Sequence, residues 1–410
     1  MSDVFLSTFS PKFSKRALSL RASPTIALTT KAKNLKASGK DVIVLGAGEP
    51  DFDTPQNIKD FAIEAIKKGK TKYTPVAGTA ELRIAVAAKF KRENGIDYKP
   101  SEVIVGTGAK QVLFNALMAT VEAGDEVIIP APYWVSYPDI VSMFEGVNVF
   151  IETKKENLFK ANATEIEAKI TPKTKWIILN SPSNPSGEVY SKAEMLAIAE
   201  VVRKHKHILV MCDDIYEHIC YEKDAFCTMA QVAPDLADRV FTLNGVSKSY
   251  SMTGWRIGYG AIKNEQFIKI LDNIQSQSTS NPSSISQEAA LEALNGTQDF
   301  LPKNTAIFKA RRDMVVDSIN AIKGLWCSRP AGAFYVFFSV GALIGKKTKS
   351  GQIIGSCTDF ANYMLDEFLV AGVPGSAFGY NNYIRISYAT SNEELTKGLE
   401  RIKAAAESLI

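Results

Sequence analysis

EVIVGTGAKQVLFNALMATVEAGDEVIIPAP, Glu102 to Pro132, carries two periodicities in 31 residues. EVIVG is a short β-branched run, AKQVLFNALMATV has helical spacing, and DEVIIPAP is a second apolar run. Short Val/Ile runs bounded by turn residues and alternating with helices predict a largely parallel sheet with both faces covered. The alternation continues downstream. KWIILNSP precedes the helical KAEMLAIAEVVRKH, and HILVMCDD and RVFTLNG follow.

From about Asp299 the rhythm changes to a long helix ending near Ile322, strand AFYVFFSV, helix TDFANYMLDEFLVAG, strand NYIRISYA and a terminal helix. This predicts a smaller α+β unit with the early residues packed on it. A 410-residue chain exceeds one small core, and two domains are expected. The boundaries fall at 1–53 for an arm and part of the small domain, 54–300 for the large domain and 301–410 for the small C-terminal domain.

Gross composition excludes several classes. With 46% hydrophobic and 22% charged residues the chain reads as globular, and a net charge of +4 without long basic runs argues against nucleic acid. No apolar segment approaches the roughly 18–20 residues that span a bilayer, so no membrane is expected. The start, MSDVFLSTFSPKFSKRALSL, lacks a charged segment followed by an apolar core, which predicts a cytoplasmic protein. Five cysteines without a Cys-x-x-Cys pair read as reduced thiols. His205 and His207, in KHKHI, are the only conceivable metal pair. They precede a strand in a solvated turn, and no metal is expected.

Ligands of such sheets gather at the carboxyl ends of strands, so the polar residues there are the candidates. GTGAKQ, at Gly106–Gln111, combines small residues with a helix start and could receive a phosphate. It does not have Walker spacing, and LGAGEPDF near Gly46 lacks a dinucleotide fingerprint. NSPSNPSG, at Asn180–Gly187, is either a rigid connection or a support for the Asn184 amide. Asp213 ends a strand in CDDIYEH, with Tyr216 three residues on. Lys248, in NGVSKSYSMTGWRIGYG, is either a loop lysine or an amine whose desolvation makes it a nucleophile and base. Arg256 is either packed on Trp255 or an anchor for phosphate. A phosphate cradle, a carboxylate, a phenol, an amide and a lysine together suit an aldehyde cofactor whose pyridine nitrogen stays protonated.

The chain resembles the class I aminotransferases of pyridoxal phosphate fold type I, in particular the aspartate/prephenate group. The resemblance runs through AGEPDFDTP, KTKYTPVAGTAELR, GTGAKQ, PAPYWVSYP, NSPSNPSG, DDIYEH, SKSYSMTGWRIGY, PAGAFYVF and YIRISYATS. It implies a large domain with a mostly parallel seven-stranded sheet, a smaller α+β domain, pyridoxal 5'-phosphate as cofactor and a homodimer with shared sites. Lys248 matches the Schiff-base lysine, Asp213 the partner of the pyridine nitrogen, and Tyr216 and Asn184 the donors to the ring oxygen. Trp134 matches the stacking aromatic, while Ala109, Lys110 and Arg256 match the phosphate ligands. Tyr73 matches the tyrosine that reaches the neighbouring subunit's phosphate. Arg385 matches the fork on the substrate α-carboxylate, closed over by the backbone at Gly48.

Three positions depart from the pattern. Gly245 stands where some members have a phosphate-binding serine, with Ser247 as its replacement. Arg21 stands where relatives that accept prephenate have a lysine. No second arginine for a side-chain carboxylate is evident near QSQSTSNPSS, leaving Lys110, assisted by the loop around Ser278. The implied reaction is ping-pong transamination of aspartate with 2-oxoglutarate to oxaloacetate and glutamate, with prephenate to arogenate as the alternative. A β-lyase on the same cofactor is less favoured. The short segment before the first matched block argues against a regulator with a DNA-binding module in front.

Overall fold

The computed structural model describes residues 12–18, 20, 24–222 and 225–410, so Arg21 lies outside the described residues. Its largest sheet has seven strands: β2 (Val103–Gly106), β3 (Glu126–Ala131), β4 (Val147–Glu152), β5 (Thr174–Asn180), β6 (Leu209–Asp213), β7 (Val240–Gly245) and β8 (Gly258–Ala261). Their spatial order is β2-β8-β7-β6-β5-β3-β4. The pairings are parallel except those of β8, which runs against both β2 and β7. The mostly parallel expectation therefore holds.

Alternation along the strands shows why both faces are covered. Val103 and Val105 join one core cluster with Leu82, Val86 and Phe90 of helix Ala80–Asn94. Ile104, between them, joins the opposite cluster with Val112 and Leu113 of helix Ala109–Thr120. Ile177 and Leu179 likewise face the first cluster while Trp176 and Ile178 face the second. Successive strand residues point to opposite faces, so a strand buried on both must be apolar throughout.

Local signals set the helix ends. Thr79 Oγ1 accepts from Leu82 N at the start of helix Ala80–Asn94, and Gly95, at φ +68°, closes it. Ser191 and Glu194 form a reciprocal capping box on helix Lys192–Lys204.

β8 was not evident from the sequence, because GYGA lacks a β-branched run. Its glycines answer to space: a Cβ on Gly258 would enter the Ala109 backbone, and one on Gly260 would enter the Phe241 ring. β8 thereby lets the helix start at Ala109 sit against the sheet.

The second body is built on an antiparallel sheet of β11 (Val373–Pro374), β12 (Tyr383–Ser387) and β9 (Tyr335–Ser339). Helices Phe300–Asn320, Cys357–Phe368 and Asn392–Glu407 pack into its core. The expected helix TDFANYMLDEFLVAG stops early. Leu369 takes a left-handed φ of +55°, and Val370–Ala371 forms β10, paired with β1 (Ile43–Val44). Pairing with a distant strand overrides the local helical pattern there. Among the described residues no helix is long and apolar enough to cross a membrane.

Candidate active site

A cavity of about 230 Å³ opens at the carboxyl ends of β5, β6 and β7. Register brings these ends level: Asn180 pairs with Asp213, which pairs with Leu243, and all three line the cavity. Of the residues expected from sequence, Gly48, Ala109, Lys110, Trp134, Asn184, Asp213, Tyr216, Ser247, Lys248, Arg256 and Arg385 line it. Tyr73 does not; its side chain stands 92% exposed elsewhere on the surface. Ser278 is exposed at the end of helix Glu265–Ser278 and does not line it either.

Lys248 reaches the cavity just beyond β7. Its Nζ donates to the carbonyl oxygen of Gly48 at 2.6 Å, and among the described residues no carboxylate is ion-paired with it. Burial lowers its pKa to about 8. Glu49 and Asp213 pull the other way, whereas the cations Arg256 and Arg385 add to the lowering. A neutral amine is therefore accessible close to neutral pH, as a nucleophile or base requires.

Asp213 is buried at the cavity floor. Its Oδ2 accepts from the Tyr137 hydroxyl at 2.6 Å, while Oδ1 has no partner. Burial pushes its carboxyl up to about 6, against the lowering influence of Tyr137, the Ile215 N–H and Lys248. An acceptor left bare in a buried site waits for a donor, since desolvation without a partner is costly. Beside it Tyr216 and Tyr335 share a hydrogen bond at 2.8 Å between hydroxyls, and burial raises the Tyr216 pKa well above the usual phenol range.

Arg385 comes from β12, in the other body. Its Nη1 donates to Asn184 Oδ1 at 2.9 Å and its Nη2 to the Gly46 carbonyl at 2.8 Å, leaving Nε without a partner. The guanidinium lies between rings, 4.5 Å from the Tyr335 centroid and 4.9 Å from that of Phe378. Burial lowers its pKa, yet guanidinium stays charged at any working pH. A buried planar cation facing a cavity suits a carboxylate.

Lys110 and Arg256 bring further cations to the cavity. Helix Ala109–Thr120 starts there, preceded by Gly108 at φ +84°. The Arg256 guanidinium lies where a Cβ on Gly108 would stand, and the left-handed φ of Gly108 favours glycine there. Arg256 itself is left-handed at φ +58°, with Nη1 donating to the Thr253 carbonyl at 2.9 Å. Lys110 Nζ lies 4.7 Å from the Trp134 ring centroid, and its pKa is lowered by burial and by Arg256.

Tyr137, Tyr335, Phe378 and Val135 also line the cavity and were not singled out from sequence. Two signals could have found the tyrosines. Tyr137 lies three residues after Trp134, in the turn that opens helix Ser136–Met143, and the rings meet edge to face at 5.3 Å. Tyr335 lies inside PAGAFYVF, one of the blocks that carry the resemblance.

Residues 40–402 match the family described as Aminotransferase class I and II. The chain belongs to that family. It is 55% identical over 390 residues to a probable aspartate/prephenate aminotransferase of Rickettsia bellii (strain RML369-C), covering 95% of this chain and 98% of that protein. The aspartate aminotransferase structure from Rhizobium meliloti superposes with a TM-score of 0.95 at 51% identity, covering 98% of this chain and all of the other. That of Thermus thermophilus with maleate superposes at 0.89 and 40% identity, covering 97% of this chain. Membership makes the protein an aminotransferase, and the seven-stranded sheet is that of the family's fold.

Proposed function

We propose that the protein is a homodimeric, pyridoxal-phosphate-dependent aminotransferase that acts on L-aspartate and 2-oxoglutarate to give oxaloacetate and L-glutamate. The observation that carries this reading is the bare, buried Asp213 Oδ1 in the same cavity as an amine lowered to about 8. A protonated pyridine nitrogen is a donor that would satisfy this oxygen and keep the carboxylate ionised. The Gly108 opening onto Arg256, with Ser247 and the helix start at Ala109, fits a phosphate. Bound there, the cofactor supplies an aldehyde carbon and a ring that withdraws electrons from the substrate Cα.

The protein's own residues do the rest. Lys248 Nζ would carry the proton between the substrate Cα and the cofactor's aldehyde carbon, in opposite directions in the two half-reactions, its neutral form favoured by burial. Arg385 holds the α-carboxylate through its two Nη groups, Asn184 and the Gly46 carbonyl keeping the fork oriented. Tyr216 and Asn184 would hold the ring oxygen, and Trp134 would cover the ring face. Lys110 meets the second carboxylate of a dicarboxylic substrate. The Thermus thermophilus relative, solved with maleate, offers a dicarboxylate parallel.

Tyr73 serves the site of a second copy, in keeping with its exposure away from its own cavity. The domain division at 53/54 and 300/301 belongs to this reading. A cytoplasmic setting accords with five free cysteines.

A second acceptor, prephenate giving arogenate, is favoured by the aromatic wall of Tyr335, Phe378 and Trp134 and by the double name of the Rickettsia bellii relative. A panel of amino donors against 2-oxoglutarate, with prephenate as alternative acceptor, tests both. Aspartate turned over no faster than alanine or leucine would sink the primary assignment.

A further inference from the structure

Behind the cavity, several buried charges converge without touching it. Lys89, on helix Ala80–Asn94, has no solvent exposure. Its ammonium is ion-paired with Glu217, stands 3.4 Å from Glu93 Oε2 and donates to Asn94 Oδ1 at 3.0 Å. Glu217 Oε1 also accepts from Asn244 Nδ2 at 2.7 Å, and its Oε2 accepts from Asn94 Nδ2 at 3.2 Å. Glu93 accepts from His218 Nε2 at 2.9 Å and from Arg92. Burial alone would raise the Glu93 pKa, but His218, Lys89 and Arg92 hold it at about 2. Glu93, Glu217 and His218 bring ligand atoms within 4.8 Å of one another, and the Lys89 ammonium already supplies the cation among them.

The partners lie next to the candidate chemistry. Glu217 follows Tyr216 directly, on the turn that begins at Asp213, and Glu217 N donates to the Asp214 carbonyl at 2.9 Å. Asn244 lies at the end of β7, four residues before Lys248, and its Oδ1 accepts from Gly245 N at 2.7 Å. The Asn244 side chain is therefore held at both ends, by Glu217 and by its own strand exit.

We infer that the buried Lys89–Glu217 ion pair, acting through Asn244, sets where Lys248 stands relative to Asp213 and Tyr216. Lys89, Glu217 and Asn244 are positioning residues: they touch neither cavity nor substrate. An ion pair buried this deeply is a weak stabiliser, because desolvating both charges offsets their attraction. It supplies direction instead, since one carboxylate accepts from two chain segments at once while the ammonium fixes its angle. The role rests on Lys248 being the reactive amine.

The test uses the full-length protein with Glu217→Gln, Asn244→Ala and the double variant Lys89→Met/Glu217→Met. Two readouts are taken. One is kcat and KM of the cofactor-loaded enzyme; the other is the pH midpoint for acetic anhydride labelling of Lys248 in cofactor-free protein, read by peptide mass analysis. The expected result is a kcat lowered on the order of 10- to 100-fold, as misplacement of a reacting group produces, with KM changed less than about twofold. The Lys248 midpoint moves from about 8 towards the ordinary lysine value.

The double variant, neutral in sum, regains thermal stability without regaining kcat, and it also serves if the single substitutions fail to fold. Folded variants with parental kcat and midpoint would overturn the inference. So would a kcat loss that follows melting temperature alone and disappears in the double variant. Lys248→Ala is run in parallel: if it keeps turnover, the functional reading falls and this role with it; if it is inactive, a null result in the other variants counts against the positioning role alone.

Discussion

Two lysines in this chain, Lys89 fully buried and Lys248 part-buried at the cavity, meet opposite treatment. Lys89 is wholly enclosed and is given Glu217, Glu93 and Asn94. Lys248 lines the cavity and is given one backbone carbonyl, so burial pulls its pKa to about 8. The carboxyls divide likewise: Glu217 accepts from Lys89, Asn94 and Asn244, while Asp213 keeps one oxygen bare. Open valences mark chemistry only where they face the cavity, as at Asp213 and Lys248: Asp214 also keeps both carboxylate oxygens without a partner among the described residues, yet it does not line the cavity.

The sharpest way to break this comparison is to remove each lysine. Lys248→Ala is expected to lower turnover by about 10⁴-fold or more and to abolish the visible band of lysine-bound cofactor. It should leave the cofactor-free protein's melting temperature unchanged or higher, because an under-partnered buried amine costs stability. Lys89→Met should do the reverse. Glu217 is left buried without its counter-charge, at an expected cost of about 3–5 kcal/mol by chemical denaturation, and Lys89→Met/Glu217→Met should recover most of it. Equal destabilisation by both lysine substitutions would remove the distinction.

Smaller changes test the cavity's open valences. Arg385→Lys keeps the charge and loses the fork, and should raise KM for amino donors about 10- to 100-fold with less effect on kcat. Tyr137→Phe deletes the hydroxyl that donates to Asp213 Oδ2 and should weaken cofactor binding about tenfold, measured by equilibrium dialysis. The smallest effect is a shift on one axis. Labelling of cofactor-free protein should show Lys248 gaining reactivity as pH rises through about 8, where the neutral amine becomes the major form, ahead of surface lysines near about 10.4. A Lys248 midpoint equal to theirs would place the amine in ordinary solvent.

Much of this was legible in the chain. Alternating Val/Ile runs and helical spacing gave the covered sheet, and the ordered blocks led to Lys248, Asp213, Tyr216, Asn184 and Arg385, which the fold gathers in one cavity. β8 was hidden because glycines chosen for close approach carry no strand signal. β10 was hidden because a two-residue pairing with β1 outweighs a helical pattern only once both are in place.

The amino-acid sequence by itself determined the periodicity of each element and the chemical types at the strand ends, since both are local properties of the chain. The tertiary structure alone decided that Tyr137 meets Asp213 across 76 residues and that Asn184 steadies Arg385 across 201. It also decided that Lys89 rather than Lys248 receives the carboxylates. A lysine's pKa depends on what surrounds it in space, and neighbours contributed by distant segments exist only after those segments pack.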